Sequence, residues 1–233
     1  MEGVTDQTPP AAAESRREDD PLAMDVVVRL ERGAKPSVTV FCEAVAEAVV
    51  RYLDEARDPT SAHHASVSAW YDGRIRKIVR RARGAAFTAL ANAPGRIIPA
   101  GGLEVYVGDP VARSLVTPAV SRAQIEGLHL EDPSPRRERS EPAGAVVVYV
   151  NPEWGLVAHP GKAAAQCAHA AQLALDRQDP LARQATLGQA SPVRVVWPDA
   201  ALWSELRSGA EVVIRDAGFT VLPRPGETTI AMW

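Results

Sequence analysis

The sequence predicts an α/β protein made of two tandem units of the same kind. Three observations predict it. Short runs rich in β-branched residues alternate with longer stretches of helical period. The order strand, helix, strand, helix, strand, strand occurs twice along the chain, which reads as an internal duplication. Between the two occurrences, every residue from Glu131 to Pro142 is Glu, Asp, Pro, Ser or Arg, a composition that cannot pack a core and reads as a solvated linker.

In the first unit, residues 24–130, strands are expected at Val26–Leu30, Ile75–Arg80, Arg96–Ile98 and Leu103–Val107, with helices at Val38–Leu53 and Gly84–Leu90. In the second, residues 143–233, the unit opens with the all-apolar strand Val146–Val150. The alanine-rich helix Lys162–Leu175 follows Pro160-Gly161, since proline and its neighbour start helices readily. A strand at Val193–Trp197 precedes a helix over Asp199–Arg207 with Asp199 at its start. Strands at Glu211–Arg215 and Thr229–Met232 flank the turn Pro223-Arg224-Pro225-Gly226.

Composition narrows the class of protein. The 233 residues are 46% hydrophobic and 24% charged, with a formal net charge of −3, which excludes wholesale disorder, collagen-like and coiled-coil character. The longest apolar stretch, Ala145–Val150, falls far short of the roughly 20 residues needed to cross a bilayer. Residues 1–23 form an acidic, proline- and alanine-rich tail with no hydrophobic period, expected to be disordered. It lacks the basic start and apolar core of a secretory signal, so a cytoplasmic location is expected. Cys42 and Cys167 sit inside apolar helical patterns and read as buried small hydrophobes.

Charge is unevenly placed. Residues 24–130 hold 14 Lys/Arg against 11 Asp/Glu, whereas residues 143–233 hold 7 against 8. Arg74, Arg76, Lys77, Arg80, Arg81 and Arg83 cluster within ten positions around Ile75, Ile78 and Val79. Such a cluster suits a nucleic-acid backbone, and it equally suits a solvated strand-to-helix segment.

The chemistry-bearing stretch is Gly161-Lys162-Ala163-Ala164-Ala165-Gln166-Cys167-Ala168-His169-Ala170-Ala171. At about 100° per residue, Lys162, Gln166 and His169 share one helix face. Spacing alone leaves two readings: polar groups lining a cleft, or a histidine and glutamine satisfied by core neighbours beside a solvated lysine. A phosphate-binding P-loop fails, because Leu156 stands where its first glycine belongs and Ala163 follows the lysine. His159 and His169 have no partners at metal-ligand spacing, and no Gly-x-Ser-x-Gly elbow occurs. No metal or cofactor is expected.

A second motif, Asp216-Ala217-Gly218-Phe219-Thr220, follows a strand and is itself followed by Gly226-Glu227-Thr228. Taken with the helix, these residues resemble the bacterial-archaeal-eukaryotic type of peptidyl-tRNA hydrolase, the PTH2 family. Its helix pattern Gly-Lys-x-Ala-Ala-Gln-x-x-His-Ala-Ala matches Gly161–Ala171. Its Asp-Ala-Gly-x-Thr pattern matches Asp216–Thr220, and its closing Gly-x-Thr matches Gly226–Thr228. The resemblance covers the second unit. The family's Arg-x-Asp-Leu stretch after the first strand is replaced here by Tyr149-Val150-Asn151-Pro152-Glu153-Trp154-Gly155-Leu156. Laid on the same pattern, the first unit has Ser37, Phe41 and Ala44 for Lys162, Gln166 and His169, with Cys42 matching Cys167 and Asn92–Arg96 set against Asp216–Thr220. It looks like a degenerate copy.

The resemblance implies two PTH2-like units, each a four-stranded mixed sheet flanked by helices, forming an intrachain pseudo-dimer with one active and one silent site. It implies metal-independent hydrolysis of the ester between a peptide, or an N-blocked amino acid, and the tRNA 3′ end. Lys162, Gln166, Asp216, Thr220 and His169 are the implied site residues, with Asp216 orienting or deprotonating water, Thr220 its hydrogen-bond partner, Lys162 polarising the carbonyl or meeting a terminal phosphate, Gln166 positioning the ester, and His169 either catalytic or a packed structural residue. Peptidyl-tRNA is the expected partner, its backbone met by Arg74, Arg76, Lys77, Arg80, Arg81 and Arg83, with the chain acting as a monomeric pseudo-dimer or a further homo-oligomer. The competing expectations are a non-catalytic RNA-binding or interaction module on a decayed hydrolase fold, and an esterase of other acylated RNAs or small aminoacyl esters.

Overall fold

The computed structural model describes residues 20–73, 75–125, 127–131, 133, 135–140, 143–218 and 221–233. The protein is mixed α/β with two mixed sheets. In the first half, β1 (Leu22–Arg29), β2 (Lys77–Ala82), β3 (Gly95–Ala100), β4 (Leu103–Gly108) and β5 (Val111–Ala112) accompany α1 (Val38–Glu55), α2 (His64–Tyr71), α3 (Gly84–Thr88) and α4 (Pro118–Ser121). The second half has β6 (Val146–Val150), β7 (Val193–Val196), β8 (Val212–Asp216) and β9 (Gly226–Met232), with α5 (Pro160–Arg177), α6 (Pro180–Leu187) and α7 (Ala200–Arg207).

The two sheets have one topology. Strand order is β2-β1-β4-β3 in the first and β7-β6-β9-β8 in the second. In each, the first two strands pair in parallel and the remaining neighbours pair antiparallel. One difference corrects the expectation of two four-stranded sheets. β5 adds a fifth, two-residue strand to the first, pairing Leu22 with Ala112 and Ala23 with Val111.

Local signals start the main helices. Ser37 Oγ accepts from Val40 N at 3.2 Å to cap α1, and Asp199 accepts from Leu202 N at 2.9 Å to cap α7. Pro160 opens α5 where its missing N–H costs nothing. The Asp179-Pro180 pair does the same for α6, with Asp179 accepting from Leu181 N and Ala182 N. That readable start is absent from the expected elements, and α6 is a short helix that buries only Thr186. α2 has no side-chain cap and buries only Val67 and Trp70, so packing rather than local sequence holds it.

The halves share one core. α1 and α5 lie against each other between the two sheets, and a single cluster runs from Val26 and Val28 of β1 through Val45, Cys42, Cys167 and Ala168 to Val148 of β6. Cys42 and Cys167, the matched cysteines of the two helices, are buried and unbridged, and burial, together with Cys167, raises the Cys42 pKa. Each sheet carries a smaller apolar layer on its outer face, built on Phe87, Leu90 and Val120 in one half and on Leu202 and Leu206 in the other. β6, covered on both faces, is buried along its whole length.

Contacts between the halves are polar as well. Glu43 of α1 accepts from Val195 N at 2.9 Å, satisfying a backbone donor on the free edge of β7. Trp197 Nε1 donates to Thr39 Oγ1 at 3.0 Å. The acidic, proline-rich connection is anchored: Glu131 O accepts from Val38 N, Arg136 exchanges backbone bonds with Trp197 and Asp199, and buried Ser140 bonds Tyr149 Oη. Most of its described residues are exposed, as expected of a solvated linker, and these bonds fix it at a few points.

Candidate functional site

The amino end of α5 meets the carboxyl end of β8. Lys162 and Gln166, one helical turn apart, both reach Asp216, the last residue of β8. Lys162 Nζ is ion-paired with Asp216 Oδ2, and Gln166 Nε2 donates to the same oxygen at 2.9 Å. Asp216 Oδ1 accepts from Gly218 N at 2.9 Å. The other end of the Gln166 amide is fixed too, because Thr228 Oγ1 on β9 donates to Gln166 Oε1 at 2.8 Å. Thr228 and Gln166 are buried, whereas the Lys162 and Asp216 side chains keep 18% and 12% of their exposure. The network therefore runs from a buried hydroxyl to a carboxylate and ammonium that solvent can reach.

Burial of Asp216 works to raise its pKa, but the Lys162 hydrogen bond, the Gly218 N–H, the Lys162 charge and Gln166 outweigh it. The carboxyl is held below the ordinary 3.8 and stays ionised at neutral pH. Such a carboxylate is a weak base and a strong hydrogen-bond acceptor. It is suited to orienting a water and fixing an ammonium rather than to storing a proton.

The segment Asn151–Trp154 forms the neighbouring wall. Asn151 Nδ2 and Trp154 Nε1 both donate to Glu227 O, at 2.8 and 2.7 Å, and Asn151 N donates to Thr228 O at 2.8 Å. The indole lies on Gly226, where a Cβ would fall 2.1 Å from the ring, so only glycine fits. Arg224 stacks over the same indole at 5.1 Å and pairs with Glu153. Thr228 and Trp154 were not among the candidates drawn from the sequence. The signal for Thr228 was its place in Gly226-Glu227-Thr228, two residues from Gly226 and so on the same face of β9.

His169 stands apart from the cluster. It shares an angular position with Lys162, but seven residues advance a helix by about 10 Å, which carries it past Asp216. It is half-buried near Lys77 of β2, and burial, with the Lys77 charge, pushes its pKa down to about 3. Folding therefore favours the neutral ring, and the unfolded chain binds more protons between pH 3 and the ordinary 6.5. The His169 contribution to stability is complete above about pH 6.5 and is lost as pH falls towards 3. His169→Asn is expected to flatten the acid limb of urea stability measured between pH 7 and pH 4.

The basic cluster is divided by its own strand. Lys77, Val79 and Arg81 alternate with Ile78, Arg80 and Ala82 across β2. Arg80 is buried on the outer face, pairing with Asp25 at 2.6 Å and donating to Ala123 O at 3.2 Å. Lys77 turns inward to Gln172 Oε1 of α5 and lies over the Trp70 ring at 4.9 Å; burial lowers its pKa to about 7. Both are occupied within the fold, so the six residues do not form one exposed patch. Arg76 and Arg83 are exposed and Arg81 is half-buried. Arg74 and Thr220 lie outside the described residues.

Among the described residues, the first half has no equivalent cluster. Asn92–Arg96 comes before and into β3, whereas Asp216 ends β8, so the topological counterpart of Asp216 lies at the Ala100–Leu103 hairpin. That turn spans two residues, Gly101 and Gly102, where the second half has nine. Gly101, at φ +54°, packs onto α1, and a Cβ there would lie 3.2 Å from Ala44 Cβ. Among the described residues, no three His, Cys, Asp or Glu side chains come together as a metal would need, and no helix is long and apolar enough to cross a membrane. Comparison with family models, with curated proteins and with solved structures finds no match to this chain.

Proposed function

We propose that the protein is an esterase of the PTH2 type, hydrolysing the bond between a peptide or N-blocked amino acid and the 3′ ribose of tRNA. The observation that carries this reading is the meeting of Lys162, Gln166, Asp216 and Thr228 in one hydrogen-bonded cluster. They come from three separate stretches of sequence, each of which resembles a PTH2 motif, and such a convergence is what a shared site requires. In this reading Asp216 orients a water against the ester carbonyl while holding Lys162 in place. The water oxygen bonds to the carbonyl carbon, and the Lys162 ammonium stabilises the oxyanion that develops. The carbon–oxygen bond to the ribose then breaks, and the proton lost by the water ends on the departing 3′ oxygen. Gln166, gripped at both ends, sets the spacing between helix and strand. The implied role of Thr220, as partner to Asp216, rests on the resemblance.

The first half is read as the silent member of an intrachain pseudo-dimer. Identical strand order, the α1–α5 pair and the meeting of Cys42 with Cys167 support that reading. So does the replacement of Lys162 and Gln166 by Ser37 and Phe41 in a half whose short hairpin closes on its helix. The test is release of an N-acetylated amino acid from its tRNA by purified protein, with EDTA present throughout. Turnover unaffected by the chelator is expected. A folded protein that binds tRNA without turnover would overturn the hydrolase and leave an RNA-binding module, and turnover confined to small aminoacyl esters would replace the substrate.

A further inference from the structure

At the carboxyl end of β2 the chain forms a pocket of about 120 Å³ bounded by Leu30, Arg81, Arg83, Ala86, Arg122 and Gln124. That is well above the roughly 10–15 Å³ a single water occupies, and it gives room for a tetrahedral oxyanion. β1 and β2 run parallel and both end here, the end of parallel strands at which open α/β sheets bind ligands.

Among the described residues, its charged lining has one sign. Arg29, Arg51, Arg57, Arg80, Arg96 and Arg113 of the same half each hold a carboxylate. Arg81, Arg83 and Arg122 are ion-paired with no described residue. Arg81 donates Nη2 to Gly127 O at 3.2 Å, and its covered Nε–H has no acceptor among the described residues. Glu31, whose carboxylate feels the Arg83 charge, accepts through Oε1 from Arg29 Nε at 2.8 Å and from Gly84 N at 3.1 Å. Three arginines line one hollow, and an anion held there would offset their like charge. Their planar N–H forks match the oxygens of a phosphate group.

The pocket adjoins the Lys162 cluster. The Arg81 backbone exchanges hydrogen bonds with Gln124 at 2.8 and 2.9 Å. The next residue, Ile125, flanks Gly161 together with Val79, since a Cβ on Gly161 would lie 3.9 Å from Ile125 O and 3.4 Å from Val79 O. Gly161 precedes Lys162, and Val79 to Arg81 is two strand residues, about 7 Å. A chain with its 3′ end at Lys162 and Asp216 thus has a cationic hollow within a few nucleotides' reach, on the half that lacks the catalytic cluster.

We propose that this pocket binds a backbone phosphate of the RNA whose acylated 3′ end is held at Lys162 and Asp216, an inference that rests on the acyl-tRNA reading above. Arg122, absent from the basic cluster seen in the sequence, joins Arg81 and Arg83 in this role, while Lys77 and Arg80 are excluded by their internal partners.

The experiment is the binding of deacylated tRNA to the full chain as a function of salt, for wild type, Arg122→Glu, Arg81→Gln/Arg83→Gln and Arg177→Glu. Arg122 is exposed, so its replacement leaves the fold intact even where the Arg81 variant does not. Arg122→Glu is expected to weaken binding about tenfold at low salt and to reduce the slope of log affinity against log salt by about one. Arg177→Glu makes the same charge change at the far end of α5 and is expected to have little effect. Equal losses in Arg122→Glu and Arg177→Glu, unchanged affinity in Arg122→Glu, or no measurable tRNA binding by wild type would each overturn the proposal. Calorimetric binding of inorganic phosphate that Arg122→Glu abolishes, with tRNA affinity unchanged, would assign the pocket to a free anion and also overturn it. The hydrolase reading fails separately. Loss of tRNA binding in Arg122→Glu beside a wild type that cleaves no acyl-tRNA keeps the pocket and removes the enzyme, and cleavage with unaltered binding in every variant does the reverse.

Discussion

Asp216→Ala is expected to lower kcat/KM for N-acetylaminoacyl-tRNA by about 10²–10³-fold, the range for removing one preorganised polar group from a transition state. The reason lies in how much this carboxylate holds. It accepts from Lys162, Gln166 and Gly218 N, so its loss frees the ammonium and unties one end of the Gln166 amide together. Lys162→Ala is expected to cost a similar factor, and the double variant little more than either alone, because the two act as one unit. Asp216→Asn keeps the shape but cannot hold the ammonium by charge, and should fall close to Asp216→Ala. Since Asp216 is held below its ordinary 3.8, the activity of wild type should show no acid limb from this group above pH 4. Single-turnover rates measured between pH 4.5 and 8, with thermal melts to confirm folding, check each statement. Wild-type rates from both single variants would remove the cluster from catalysis.

Asp25→Ala is expected to destabilise the protein by about 3–5 kcal/mol, the usual cost of leaving a buried charge without its partner. Asp25 is 3% exposed and accepts from Arg80 Nε at 2.6 Å and from Arg113 Nη1 at 2.8 Å. Arg80, 6% exposed, has no other carboxylate among the described residues and would keep only Ala123 O. Replacing both members by apolar residues, Asp25→Val with Arg80→Leu, should recover much of that loss, since the buried charge then disappears with its partner. Urea denaturation of wild type and the two variants measures it. An Asp25→Ala protein within 1 kcal/mol of wild type would show that Arg80 finds water once its partner is gone.

Much of this architecture could be read along the chain. β6 has the predicted bounds, Val146–Val150, because a run of β-branched and aromatic residues closed by Asn151 has few alternatives. Helix α5 extends the predicted Lys162–Leu175 by two residues at each end, to Pro160 and Arg177. The shared face of Lys162 and Gln166 follows from helical period, and one turn of separation brings both to a single carboxylate. Period could not place His169, because a helical wheel records angle and not axial height. For Arg80 the strand period was available, and its alternation with Val79 and Arg81 already separates it from them. What it points to, Asp25, lies 55 residues away on the neighbouring strand. The charged connection between the halves is largely exposed, as its composition suggests, but composition does not reveal where its backbone is anchored.

The sequence by itself determined most of the strands, the longer helices, their repeated order and the polar residues of α5 and β8, since all of these depend on period, caps and local motif. Only the tertiary structure decided which of those residues meet and that the halves are one body. Small residues such as Ala164, Cys167, Ala168 and Ala171 let α5 approach α1 closely, and with both helices buried between the sheets the two halves share their largest core.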